Sequence, residues 1–208
     1  MLEALRDNFT IVVVGNWNVS IFSPEWVGRN IFENKAITLE FEIGSGLQRR
    51  LSVDDVIIIP SSSSLMVTSN KVDDITLKRM ENVACKILEL LNHTPVRAVG
   101  VNFGYRLEPL AGSSCSEIPV IMAEKLASED LVIGLYEIKW SVGYGRERKT
   151  LLNLSVKIGK DDALIKFNFH SDIENTGKGI ESIRDQVIVY KNKALSVLDK
   201  LFGVSPEV

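Results

Sequence analysis

Hydrophobic and polar positions along the chain recur with two periods, two and about 3.6. Residues 10–15 form a continuous β-branched run, Thr-Ile-Val-Val-Val-Gly, as in a strand covered on both faces. Residues 16–22 are expected to continue that strand or bulge from it. Ser23-Pro24-Glu25 then opens a short helix carrying Trp26, Val27, Ile31 and Phe32. Serine caps it, proline fits the first turn, and the glutamate complements the helix dipole. Strict alternation follows. Ile37, Leu39, Phe41 and Ile43 point one way, and Thr38, Glu40 and Glu42 the other. After Gly44-Ser45-Gly46, Leu47, Leu51 and Val53 alternate with Gln48, Arg50 and Ser52, with Arg49 on the apolar side. Residues 56–59 and 65–68 read as further strands. Asp73 or Asp74 caps a helix in which Met80, Val83, Ala84, Ile87, Leu88 and Leu91 keep helical spacing up to Pro95.

The second part of the chain repeats this order. Residues 96–107 form a strand region, and residues 116–126 a helix with Ile118, Ile121, Met122 and Leu126 on one side. Three alternating strands follow, carrying Tyr136, Ile138, Trp140 and Val142, then Leu152, Leu154, Val156 and Ile158, then Ala163, Ile165, Phe167 and Phe169. Residues 175–179 read as a linker before one long helix over 180–202, with Gly203 as its C-cap. The pattern predicts an α+β fold of two similar β-α-β(3-4)-α halves, 1–95 and 96–208, forming one compact unit. Each half would lay a long helix on an antiparallel sheet. Gly15 and Pro24, and Gly100 and Pro109, anchor the repeat at equal spacing, with an aromatic between them (Trp17, Phe103). The arrangement resembles the duplicated helix-grip saddle of TATA-box-binding-like folds, an analogy of fold that implies no function. The stretch Gly15-Asn-Trp-Asn-Val-Ser-Ile-Phe-Ser-Pro-Glu-Trp26 is similar to a scattered family of bacterial proteins with no assigned activity.

Charge narrows the partners. The first 95 residues carry 9 basic and 12 acidic side chains and the remainder 15 of each, giving a net charge of -3. Neither part has the basic excess of a general nucleic-acid binder. The N-terminus lacks a secretory signal pattern and no apolar run spans a bilayer. Cys85 and Cys115 form no CxxC motif. These features predict a cytoplasmic protein with reduced thiols and no membrane partner.

Chemistry-bearing residues are sparse. His93 sits at a helix end, and His170 beside Ser171 and Asp172 cannot build a triad within one strand. The pairs Asp54-Asp55, Asp73-Asp74 and Asp161-Asp162 fall at element boundaries and read as turns and caps. No catalytic residue, metal ligand set or cofactor motif stands out, so the expectation leans away from an enzyme and names no cofactor. Residues 143–149 form a basic hairpin tip with Arg146, Arg148 and Lys149. Its GxG joins two antiparallel strands and is no phosphate cradle. The polar sheet face is the candidate surface, with Glu40, Glu42, Arg50, Lys139, Lys166, Asn168 and His170 on it together with Thr38, Glu137, Asn153, Ser155 and Lys157. The leading expectation is a binding or interaction protein, with a protein partner or a second copy of itself on that face. A small-ligand module with a pocket between sheet and long helix, lined by Trp17, Trp140, Phe167 and Tyr190, is the first alternative. Nucleic-acid binding through the second-half face and the 143–149 hairpin is another.

Overall fold

A computed structural model of the chain describes residues 1–43, 47–108, 136–144, 149–159 and 161–204, without the side chains of residues 42, 43, 47 and 136. The fold is α+β. Its strands are β1 (Leu2–Ala4), β2 (Thr10–Gly15), β3 (Thr38–Ile43), β4 (Leu47–Val53), β5 (Val56–Pro60), β6 (Ser64–Ser69), β7 (Val96–Leu107), β8 (Tyr136–Tyr144), β9 (Thr150–Ile158) and β10 (Ala163–Asp172). The described helices are α1 (Pro24–Asn30), α2 (Asp74–Leu90), α3 (Thr176–Ile183) and α4 (Val187–Phe202). The ten described strands join one antiparallel sheet in the order β3-β4-β5-β6-β2-β7-β10-β9-β8, with β1 pairing with β7 beyond the end of β2.

Alternation along each strand gives the sheet two unlike faces. One line of cross-strand partners runs Leu39, Leu51, Ile58, Val67, Ile11, Val101, Phe169, Leu152 and Val142, apolar at every strand. The helices pack on this face, and one apolar cluster of the described residues joins strand residues such as Phe9, Ile11 and Phe169 with helix residues such as Leu88, Tyr190 and Phe202. Phe169 stacks on Tyr190 of α4 with ring centroids 4.4 Å apart, and Phe9 meets Phe103 edge-on at 5.4 Å. Cys85 is buried in the cluster, where desolvation pushes its thiol up to about 11. Among the described residues no helix is long and apolar enough to cross a membrane.

The structure departs from the sequence expectation in four places. Residues 16–22 do not extend the strand. Asn18 accepts from Ser20 N–H and Trp17 Nε1 donates to Val13 O, which turns the chain into a 3-10 turn at Val19–Ile21. The short β1 was not foreseen. The linker expected at 175–179 is helical, because Asn175 caps α3 by accepting from Lys178 N–H. The single helix over 180–202 is two helices, broken where Asp185 takes a φ of 59°. No glycine or proline marks that break. Its cause lies on α2, where the buried carboxylate of Glu81 accepts from Asp185 N–H (3.0 Å) and Val187 N–H (3.2 Å). Glu81 thus caps α4, whose own N-cap residue Gln186 makes no side-chain capping bond. The expected helix at 116–126 and Cys115 lie outside the described residues.

Around Glu81, ion pairs tie α2 to α3 and α4: Lys78 with Glu81 and Asp185, Glu89 with Arg184, and Asp74 with Lys191. Removing the Glu81 carboxylate leaves two backbone donors without their partner, the buried one of Val187 and the partly buried one of Asp185. Glu81→Ala is therefore expected to cost about 3 kcal/mol in urea unfolding, while Glu89→Ala, in an exposed pair, costs less than about 0.5 kcal/mol.

Candidate functional site: an amide row on the open sheet face

One residue along from the apolar line, the opposite face carries Thr38, Ser52, Ile57, Thr68, Thr10, Asn102, Asn168, Asn153 and Ser141 as successive cross-strand partners. Every member except Ile57 is an uncharged hydroxyl or amide. From β2 to β8 these side chains form one relay. Asn102 Nδ2 donates to Thr10 Oγ1 (2.9 Å), Asn168 Nδ2 to Asn102 Oδ1 (2.7 Å) and Asn153 Nδ2 to Asn168 Oδ1 (3.0 Å). Ser141 Oγ donates to Asn153 Oδ1. Strands lie about 4.8 Å apart, so the relay spans about 19 Å. All its bonds run in one direction, so they reinforce one another. Each asparagine uses one amide hydrogen within the row. Its second N–H and a second carbonyl lone pair are left for another partner.

Strand β7 makes room for this relay. Between its core residues Val99, Val101, Phe103 and Tyr105 it places only Ala98, Gly100, Asn102 and Gly104 on the open face. A Cβ on Gly100 would stand 2.8 Å from Asn168 Nδ2, and one on Gly104 would strike the Asn8 side chain at 2.4 Å. The small residues leave a groove of about 750 Å³ floored by the relay. Asp7 and Asn8 form part of its lining, Val12 and Met66 add an apolar patch, and Ser155, Lys139 and Lys166 lie toward β8. Ser155 sits opposite both lysines, on β8 and β10. Its hydroxyl donates to Glu137 Oε1 (2.7 Å), and Lys139 pairs with Glu137 at 3.3 Å. These two bonds, the serine's first, hold the Glu137 carboxyl below its ordinary range.

Of the residues singled out in the sequence, the groove gathers Lys139, Asn153, Ser155, Lys166 and Asn168, with Trp140 and Phe167 also in its lining. His170 lies two positions along β10, with Nε2 3.2 Å from Asp172 Oδ1, while Ser171 points to the other face and bonds Thr150 at 2.9 Å. Glu40 and Arg50 face each other at the far end of the sheet, on β3 and β4. Lys149 lines a separate hollow of about 250 Å³ with Asp172, Glu174 and Lys178. Arg146, Arg148 and the side chain of Glu42 lie outside the described part of the chain. Of the aromatics proposed for a pocket under the helix, Trp17, Phe167 and Tyr190 are buried in the core, and Trp140 is 42% exposed at the sheet edge. Among the described residues no group of three His, Cys, Asp or Glu is placed to hold a metal ion. Asn102 and Thr10 are not among the residues the sequence singles out, although the small-polar alternation of β7 marks the open face.

Compared with known proteins, the chain matches no family model and no curated protein.

Two outcomes follow from this geometry. Gly100→Ala should displace the Asn168 amide, moving the side-chain NH2 resonances of Asn168 and Asn102 and costing about 1 kcal/mol. The Glu137 pKa is lowered in the folded chain, so its contribution to stability is present above the unfolded carboxylate value and lost as pH falls through the folded one. Ser155→Ala should move the Glu137 midpoint up toward the ordinary value in an NMR titration; an unmoved midpoint contradicts the assignment.

Proposed function

We propose that the chain is a binding protein acting through the open face of its sheet, with the ligand seated in the groove over Asn102, Asn168 and Asn153. The observation that carries this reading is the relay itself. Three amides in one register row each keep a donor and an acceptor free, on a floor cleared by Gly100 and Gly104. Amides and hydroxyls of this kind neither gain nor lose protons near neutral pH, so the row is suited to recognition rather than acid–base catalysis. Glu137 offsets Lys139, and Asp7 lines the same groove as Lys166. The ligand is therefore a polar group with both donors and acceptors, from a protein partner or a small molecule, and not a strong polyanion.

The fold reading that accompanies this is a duplicated helix-grip saddle of two halves, 1–95 and 96–208. Its support is the order of strands about the β2–β7 seam. β2 lies between β6 and β7, and β7 between β2 and β10, so β2 adjoins β6, the last strand of 1–95, and β7 adjoins β10, the last strand of 96–208. A nucleic-acid reading draws on Lys139 and Lys166 in the groove, and strong weakening of binding by moderate salt would favour it.

The test is a small-molecule fragment screen read by side-chain amide NMR. Hits are expected to shift Asn102, Asn153 and Asn168 together, and Asn168→Leu should weaken them at least tenfold. Hits that gather on the helix layer or the 149–182 hollow, leaving the three asparagines unmoved, would overturn the proposal.

A further inference from the structure

Beyond the groove, the geometry points to β8 as the seam of a homodimer: we propose that two copies pair antiparallel along β8, about a two-fold axis through Trp140. β8 is the terminal strand of the sheet in the described structure, nine residues long, with β9 on one side. Among the described residues no strand pairs with its outer edge, which leaves a row of backbone donors and acceptors there. Trp140 and Val142 stand on the same face as the core, opposite Leu154 and Leu152, yet they are 42% and 57% exposed. A large aromatic and a β-branched residue side by side on an edge strand form an apolar stripe that a strand partner would cover.

Self-pairing selects the register. An axis through Lys139 sets that lysine against its own copy, which like charge disfavours. An axis through Ile138 or Val142 pairs only part of the strand. An axis through Trp140 matches the strand end to end and sets Ile138 against the partner copy's position 142 and Trp140 against its own copy. The apolar stripe then meets itself. On the other face Lys139 falls opposite position 141, a serine, and Glu137 opposite position 143, a glycine. Each copy's own Glu137–Lys139 pair (3.3 Å) keeps that face neutral. Such an isologous contact closes at two copies, whereas β8 on β3 of the next copy would grow an open chain.

Native mass spectrometry and light scattering should find the wild-type chain at twice 23.2 kDa, and Trp140→Arg should weaken the dimer at least tenfold. With Cys115 replaced by serine, Trp140→Cys should oxidise to a covalent dimer, because directly opposed Cα atoms about 4.5–5.5 Å apart are within disulfide reach. Ile138→Cys and Val142→Cys should each fail alone and cross-link when mixed. A wild-type monomer at millimolar concentration, a ladder of higher oligomers, or self-cross-linking at 138 in place of 140 would overturn the proposal. Trp140 also lines the groove, so the cross-links at 138 and 142, positions outside its lining, separate the dimer from fragment binding.

Discussion

The antiparallel pairing of β2 with β7 is the constraint on which the rest depends. It joins strands far apart in the chain, through Thr10–Asn102, Ile11–Val101 and Val12–Gly100, the last pair 88 positions apart. Side chains alternate strictly across a strand, so this register decides at once which residues face the helices and which face out. A slip by one residue would set Val12 against Val101 and send Asn102 into the core. The buried line that includes Ile11 and Val101 and the open line that includes Thr10 and Asn102 are therefore one choice seen from two sides.

The helix layer reinforces that choice. α2 follows β6, and α3 and α4 follow β10, so the contacts between them bridge the same seam from above. Glu81 is the keystone of that layer. A carboxylate 1% exposed is tolerable because Lys78 and two backbone donors satisfy it, and those donors belong to the turn that breaks α3 from α4. The break in turn sets α4 over the sheet where Tyr190 can stack on Phe169.

Local structure was well marked in the sequence, because period and caps are local signals. The run at 10–15, the alternation in β3, β4 and β8 to β10, and the helix after Asp73 coincide with elements of the structure. What eluded the sequence depends on partners far along the chain. Nothing near Asp185 announces a helix break, since the cap comes from Glu81, 104 positions earlier. The Asn18 turn competes with strand extension through a side-chain bond that propensity does not weigh. The candidate face was legible as alternating polar positions, including Lys139, Lys166 and Asn168. The relay was not, because Asn102, Asn153 and Asn168 become neighbours only when β7, β10 and β9 pair in this register. Glu40 and Arg50, prominent in the sequence by their charge, sit on β3 and β4, at the far end of the sheet from the relay.

The central claim is that each of the three asparagines gives one amide hydrogen to the row and keeps one for a ligand. Hydrogen exchange of the individual side-chain NH2 protons tests it most directly. For Asn102, Asn153 and Asn168 the account predicts one proton of each pair slowed by its bond within the row and the other exchanging as an open amide does. Two equally fast protons on all three residues would mean that the relay does not exist, and the groove would lose its floor of oriented donors and acceptors.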